Sequence, residues 1–135
     1  MSQVEIEAIN HIGIRVEQLE RSVAFYEKLG FQRIWYSDHH RVGGLRSSAG
    51  IELNLIVNAN NRNGDRNILM DESVKYAGYT HASFRVASID DTVRLLREIS
   101  IAISEGPINL GGEIAVFIRD PDQNVIELAQ IVPSQ

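Results

Sequence analysis

The sequence predicts an α+β fold made of two tandem βαβββ modules, because one unit of pattern occurs twice along the chain. Residues 10–16, which read Asn-His-Ile-Gly-Ile-Arg-Val, return as Thr-His-Ala-Ser-Phe-Arg-Val at residues 80–86, 70 positions later. An apolar stripe with helical spacing returns at the same offset. Its members are Leu19, Val23, Tyr26 and Leu29 in the first copy and Ile89, Val93, Leu96 and Ile99 in the second.

The composition narrows the class of function. With 135 residues, 44% of them apolar and 23% charged, the chain suits one compact domain with a buried core. Its formal charge of −5 disfavours a general nucleic-acid or anionic-membrane binder, since such proteins present a basic face to phosphate. The chain has no cysteine, which excludes disulfides and thiolate metal ligands. We find no basic leader and no run of ~20 apolar residues, so we expect a cytoplasmic protein that binds a small molecule.

The elements of the first module follow from the period of its apolar residues. Residues 9–16 alternate as in a half-buried strand, which turns His11 away from the aliphatic face. The first helix is expected to end at Gly30, since glycine favours the left-handed position after a helix. Strands are then predicted at residues 31–37, 41–48 and 51–57.

A connecting segment and the second module complete the predicted domain. The asparagine-rich residues 59–78 form the linker, in which residues 71–76 are expected to make a helical turn or a lid. Ser88 and Asp91 predict a capping box for the second helix. Strands are predicted at residues 101–104, 114–119 and 125–129. The single domain, residues 1–135, therefore has module one at about 8–58 and module two at about 79–131.

Four polar residues are predicted to form a metal site. The triplet Ile-Glu-Leu around Glu52 returns around Glu127, 75 positions later, which places the five extra residues in the loop at 105–112. His11, Glu52, His81 and Glu127 then lie on the strand faces opposite the helices. Enclosed carboxylates require a positive partner. Imidazole and carboxylate suit zinc, nickel, cobalt, manganese or iron(II).

A structural role is the alternative for each of these four residues. A single histidine or glutamate in a strand is more often hydrogen-bonded or solvated than bound to metal. Taken together, the repeat-equivalent positions favour a shared metal ion.

The residues resemble the vicinal oxygen chelate superfamily, which contains glyoxalase I, extradiol dioxygenases and the fosfomycin and bleomycin resistance proteins. The resemblance spans residues 9–131. It depends on residues 10–16, on Phe-Tyr-Glu-Lys-Leu-Gly-Phe at residues 25–31, and on Asp-Pro-Asp at 120–122 with Ile-Glu-Leu at 126–128. It implies two curved mixed sheets around a shared cavity.

Within this superfamily the His, Glu, His, Glu pattern is similar to glyoxalase I. The resemblance implies a metal-dependent lyase or isomerase, in which a 2-oxoaldehyde thiol adduct or related vicinal dioxygen substrate passes through a metal-bound enediolate. Glu127 is implied as the base, with Glu52 as the second catalytic carboxylate. An extradiol dioxygenase, which needs no ligand at Glu52, and a non-catalytic drug-binding resistance protein are the alternatives.

The resemblance also implies a substrate contact and an assembly. Arg15 matches a basic residue that helps to hold a glutathione carboxylate, and Asn54 is a second candidate substrate contact. The asparagine expected four residues beyond the second metal ligand is Ile56 here, so glutathione is one candidate thiol among others. A homodimer is expected, as in several relatives, with no nucleic-acid or membrane partner.

Overall fold

The computed structural model describes residues 2–133 and contains two βαβββ modules, as predicted. Residues up to Ala59 form one compact unit, and residues from Asn60 onward form a second. Within the described part of the chain, neither helix is long or apolar enough to cross a membrane. The elements are β1 (Ile12–Val16), α1 (Leu19–Lys28), β2 (Phe31–Ser37), β3 (Val42–Ser47), β4 (Glu52–Val57), β5 (His81–Arg85), α2 (Ile89–Glu98), β6 (Ile103–Asn109), β7 (Glu113–Arg119) and β8 (Val125–Ile131).

The first unit is a four-stranded mixed sheet with the order β1-β4-β3-β2. Strands β1 and β4 run parallel, whereas β4, β3 and β2 are joined as antiparallel neighbours. In β4 the buried residues Leu53, Leu55 and Val57 alternate with half-buried Glu52 and Asn54. The sheet therefore has one apolar face and one polar face, as the alternation in the sequence predicted.

The second unit repeats this arrangement with the order β5-β8-β7-β6. Strand β8 differs from β4 because five successive residues, Val125 to Ala129, are buried on both of its faces. A glutamate in this strand, Glu127, is one of three buried polar residues within the described range. The polar face of module two is thus more enclosed than that of module one.

One end of each helix was predicted from the sequence, the turn at Gly30 after α1 and the Ser88 cap of α2. Helix α1 is followed by Gly30 at φ 93°, and α2 is followed by Ser100 at φ 61°, so both turns use the left-handed region. The hydroxyl of Ser88 accepts a hydrogen bond from the Asp91 amide at 3.1 Å, which confirms this cap of α2. Both helices bury residues of the duplicated stripe.

The sheet register corrects the equivalence that the Ile-Glu-Leu triplets suggest. Ile12 pairs with Leu53 in module one, and its counterpart Ala82 pairs with Ile126 in module two. Asn54 is therefore the structural counterpart of Glu127, and Glu52 is displaced from that place by two residues. A shift of two residues keeps the same face of the strand but moves the side chain about 7 Å along it. Module two therefore has three more residues than module one rather than five, and these extra residues lie before β7.

The connecting segment contains turns and bends but no helix at residues 71–76. It is fixed to the second unit by Asp71, whose carboxylate accepts two hydrogen bonds from Arg119 at 2.6 and 2.7 Å. Asn67 adds a bond from its amide nitrogen to the Gln123 carbonyl at 3.0 Å. The Arg119 guanidinium holds the pKa of Asp71 well below its usual range.

Candidate metal and substrate residues

The polar face of β5 and β8 brings together two of the predicted ligands, His81 and Glu127. Nε2 of His81 lies 3.2 Å from Oε1 of Glu127. The Glu127 side chain is 9% exposed and that of His81 is 29% exposed. The carboxylate is thus buried, whereas the imidazole, on the edge strand β5, is partly exposed to solvent.

Phe117 encloses this pair from the neighbouring strand. It stands beside Glu127 in the β7–β8 register. Its ring meets the His81 ring edge to face, with the centroids 5.6 Å apart. An apolar ring at this place limits the water that reaches the carboxylate, which strengthens its interaction with any cation.

The spacing of the two donor atoms fits a metal ion. Bonds of about 2.0–2.2 Å from zinc to nitrogen and oxygen place two ligand atoms about 2.9 Å apart at a right angle and about 3.4 Å apart at a tetrahedral angle. The observed 3.2 Å lies between these values. His81 and Glu127 therefore suit two adjacent positions around a divalent cation.

Glu52 lies in a different environment. Its Oε1 accepts hydrogen bonds from Nη2 of Arg46 at 2.6 Å and from Nε at 2.9 Å. Arg46 is its direct neighbour across β3 and β4, and the Glu52 side chain is 31% exposed. The carboxylate already has a cationic partner, which the sequence analysis did not identify.

The other predicted residues of module one are placed as follows. His11 is exposed just before β1, and its Nδ1 lies 2.7 Å from Oδ1 of Asn10. Arg15 donates from Nε to Oδ1 of Asn58 at 2.9 Å, so one edge of its guanidinium supports the end of β4. Asn54 is half-buried in β4, where it pairs with Gly13 of β1 on one side and with Gly44 of β3 on the other. Among residues 2–133, no three histidine, aspartate or glutamate side chains are grouped as a metal cluster.

A tryptophan, Trp35, lies on the polar face of module one, where it pairs with Gly44 across β2 and β3. The indole of Trp35 lies over Gly44, so close that a Cβ at residue 44 would be 2.1 Å from its Nε1. The register makes Gly44 the counterpart of Phe117. Each module thus carries one aromatic ring near this position, from β2 in the first and from β7 in the second. In the sequence, the glycine at residue 44 was a signal that a large side chain lies over this part of β3.

Comparisons with known proteins place the chain in a family. Residues 8–128 match the model of the Glyoxalase/Bleomycin resistance protein/Dioxygenase superfamily. The chain belongs to this superfamily. Its members generally depend on metal, bind small molecules and often form dimers.

Curated relatives are similar over most of the chain. Virulence protein STM3117 of Salmonella typhimurium is 27% identical over 139 residues, covering 96% of this chain and 88% of that protein. The glyoxalase domain-containing protein RDO1 of Mycosarcoma maydis is 24% identical over 132 residues, covering 94% of this chain and 70% of that protein.

Solved structures share the fold at low identity. A glyoxalase/dioxygenase from Nostoc punctiforme has a TM-score of 0.72 and 21% identity, covering 98% of this chain and 100% of that chain. The fosfomycin resistance protein FosX from Listeria monocytogenes has a TM-score of 0.66 and 18% identity, covering 93% and 94%.

Proposed function

We propose that this chain is a divalent-metal-dependent enzyme with glyoxalase I-like chemistry. It would act as a lyase or isomerase on the thiol adduct of a 2-oxoaldehyde or on a related substrate with two adjacent oxygens. The observation that carries the proposal is the His81–Glu127 pair, in which a buried carboxylate meets an imidazole nitrogen at 3.2 Å beneath Phe117.

His81 and Glu127 would have different roles in this reaction. When bound, a divalent ion supplies Lewis-acid stabilisation of negative charge that develops on the substrate oxygens. His81 and Glu127 would hold the ion. Glu127 also takes the proton from the carbon beside the carbonyl and returns it to the neighbouring carbon. Phe117 keeps bulk water from the carboxylate during that transfer.

His11 and Glu52 would be further ligands of the ion. Exposed His11 presents a ring with one nitrogen tied to Asn10. Glu52 shares the polar face of its sheet with Asn54, but it must give up Arg46 before it can bind an ion. We therefore expect Glu52 to be the weakest of the four ligands.

Arg15 is the proposed contact for a carboxylate of the thiol, with Asn54 as a polar contact on the same face. Asn54 on β4 pairs with Gly13 on the neighbouring strand β1, and Gly13 lies two residues before Arg15. Because Arg15 also supports Asn58, its replacement is expected to affect substrate binding and local order together.

The experiment begins with elemental analysis of the purified protein. Spectrophotometric assays of methylglyoxal with glutathione and with other thiols follow, each with and without chelator. We expect bound divalent metal, thiol-dependent turnover, and loss of turnover with chelator. Glu127→Gln should lower turnover by at least about 100-fold, since it removes the base and a charged ligand. Glu98→Gln, at the exposed end of α2, is the matched control.

Failure to bind any divalent metal would refute the proposal and leave the drug-binding alternative. A metal-loaded protein that is inactive towards all thiol adducts would refute the glyoxalase assignment alone. Fosfomycin belongs in the same substrate panel, because FosX shares the fold.

An extradiol-type dioxygenase is the second candidate, and one observation favours it. The counterpart of Glu127 in module one is Asn54 rather than a carboxylate. The resemblance assigns such dioxygenases only three ligands, at His11, His81 and Glu127. Iron(II)-dependent oxygen uptake with a catechol would select this function, and its absence in iron-loaded protein would exclude it.

A further inference from the structure

One row of residues on the polar face of module one has hydrogen-bonding groups that no protein atom uses. Strand pairing aligns Gly13, Asn54, Gly44 and Trp35 across β1, β4, β3 and β2. Because two of the four are glycines, only an indole and a carboxamide project from this row. Within residues 2–133, neither the indole N–H of Trp35 nor the Asn54 carboxamide has a hydrogen-bond partner.

Both of these polar groups are accessible to a ligand. The Trp35 residue is 42% exposed, and Asn54 is half-buried. In the described part of the chain, every fully buried side-chain nitrogen or oxygen has a hydrogen-bond partner. The Asn54 amide has none in the protein, so its atoms must reach the solvent. A ligand can therefore replace water on both groups.

The two groups are close enough to hold the same ligand atom. Nε1 of Trp35 lies almost where a Cβ of Gly44 would be. Gly44 and Asn54 are direct partners in the register, and the Cβ positions of such a pair are about 4.5–5.5 Å apart on one face of the sheet. One oxygen can accept from two N–H donors up to about 5.8 Å apart, since each N–H···O bond spans about 2.9 Å between heavy atoms. The Asn54 amide is thus within reach of an oxygen bound at the indole N–H.

The charges beside this row favour an anion. In the rows that flank it on either side, strand pairing places Arg15 and Arg46, with Glu52 as the one acid. Arg46 neutralises Glu52. The acidic residues Glu5 and Glu7 line a cavity beside Glu52, on the side of the row away from Arg15. The positive side of the row is therefore the side of Arg15.

We infer that the indole N–H of Trp35 and the NH₂ group of Asn54 together bind one oxygen of a ligand carboxylate. Hydrogen bonds to an ionised acceptor are roughly twice as strong as those between neutral groups, so two neutral donors suffice to select the anion. The identity of this ligand rests on the proposed function, in which Arg15 contacts a carboxylate of the thiol. Trp35 is then a specificity-determining contact, and its role requires no metal.

The equivalent row of module two has the opposite chemistry. It contains Ser83, Glu127 and Phe117 in the places of Gly13, Asn54 and Gly44. The carboxylate of Glu127 only accepts hydrogen bonds, and it repels another carboxylate. The carboxylate site is therefore a property of module one.

The test uses nuclear magnetic resonance, because the chain has one tryptophan and hence one indole N–H signal. Metal-free, ¹⁵N-labelled protein is titrated with 3-mercaptopropionate and, separately, with 3-mercaptopropionamide, a neutral thiol of the same length. We expect the carboxylate to move the indole proton signal downfield to saturation. We expect the amide to bind at least about tenfold more weakly, the cost of losing the charge-assisted bonds.

Two variants separate the two donors. Trp35→Phe keeps an aromatic ring but removes the N–H, and it should weaken binding of 3-mercaptopropionate by at least about tenfold, measured from the Asn54 amide signals. Asn54→Asp replaces the donor with a carboxylate of the same size and should abolish binding, measured from the indole signal. Circular dichroism verifies that both variants are folded.

Tyr36→Phe is the matched control for Trp35→Phe. Tyr36 is the next residue of β2 and is 41% exposed, but its ring lies beside Gly43, so it belongs to the other face of the sheet. This variant also removes one donor from an exposed aromatic side chain. It should bind 3-mercaptopropionate as tightly as the wild type.

Four results would overturn the inference and leave the proposed metal chemistry intact. These are no saturable shift of the indole signal with 3-mercaptopropionate, equal affinity for its amide, wild-type affinity in Trp35→Phe, and wild-type affinity in Asn54→Asp. The converse is equally distinct: a protein that binds the carboxylate in this way but binds no divalent metal retains the site while the proposed function fails.

Discussion

The polar faces of the two modules use the same strand positions for different chemistry. In module two, Glu127 is buried beside His81 and Phe117. In module one the corresponding place holds Asn54, and the nearest glutamate, Glu52, is neutralised by Arg46. A duplicated fold thus provides one enclosed carboxylate that suits a cation and one accessible carboxylate that already has a partner. For the proposed metal site, we therefore expect module two to contribute most of the binding energy.

The largest expected effect comes from removing the enclosed carboxylate. Glu127→Gln should lower zinc affinity by at least about 100-fold, more than the loss expected for a partner behind a ligand. Glu52→Gln should lower it by less, since Arg46 competes with the ion for this group. Isothermal titration of both variants measures the contrast, and equal losses would show that the two modules contribute equally.

The next effect concerns the Trp35 ring on the polar face of module one. Gly44→Ala places a Cβ within 2.1 Å of the Trp35 indole, so the ring must move. We expect a loss of about 2 kcal/mol in the free energy of unfolding, typical of an overpacked site. Urea denaturation followed by circular dichroism measures it.

Gly112→Ala serves as the control for this substitution, because no heavy atom lies within 4 Å of its added Cβ. In a Trp35→Ala background the cost of Gly44→Ala should largely disappear. A cost that persists in that background would show that the glycine is needed for another reason.

A smaller effect tests whether Glu52 is a ligand at all. Arg46→Met removes its partner while keeping an unbranched apolar stem. If Glu52 binds the ion, zinc affinity should rise by about fivefold, which corresponds to the roughly 1 kcal/mol contributed by a surface ion pair. An unchanged affinity would restrict the ligands to the three that the dioxygenase alternative uses. The double variant Arg46→Met with Glu52→Gln controls for changes in packing.

The smallest expected effect is on the part of the free energy of unfolding that Asp71 contributes, which depends on pH. Arg119 lowers the pKa of this carboxylate from its ordinary 3.8, so the ion pair favours the folded state at pH above that value. Its contribution declines as the pH falls below about 4. We expect Asp71→Asn to cost about 1 kcal/mol at pH 7 and progressively less in stronger acid. Thermal melts between pH 7 and pH 3 check this, and a cost that is independent of pH would contradict the role of the ion pair.

The repeating pattern of apolar residues was sufficient to predict the fold. Strand β2 has its predicted bounds, and the Ser88 cap and the left-handed turn at Gly30 follow from local residue chemistry. Such features depend on residues close together in the chain, so periodicity and composition reveal them.

The details of the site depend on pairing between distant residues, and the sequence predicted these less well. The Ile-Glu-Leu triplets are similar in sequence, but the hydrogen-bonded register sets Asn54 opposite Gly13 as Glu127 is set opposite Ser83. The Arg46–Glu52 ion pair across two strands has no local signal. The metal and substrate roles themselves stay predictions.

The two arginines Arg46 and Arg119 show how equivalent positions of the two modules differ in their partners. They occupy the same register position in β3 and β7, since their strand partners are Glu52 and Val125. With valine in place of the acid, Arg119 is available to Asp71 in the connecting segment. Arg46 therefore makes a cross-strand ion pair within its own sheet. Arg119, at the same register position in the other module, anchors the connecting segment instead. Val125→Glu would place an acid across from Arg119, as Glu52 lies across from Arg46, and this acid would compete with Asp71 for the guanidinium.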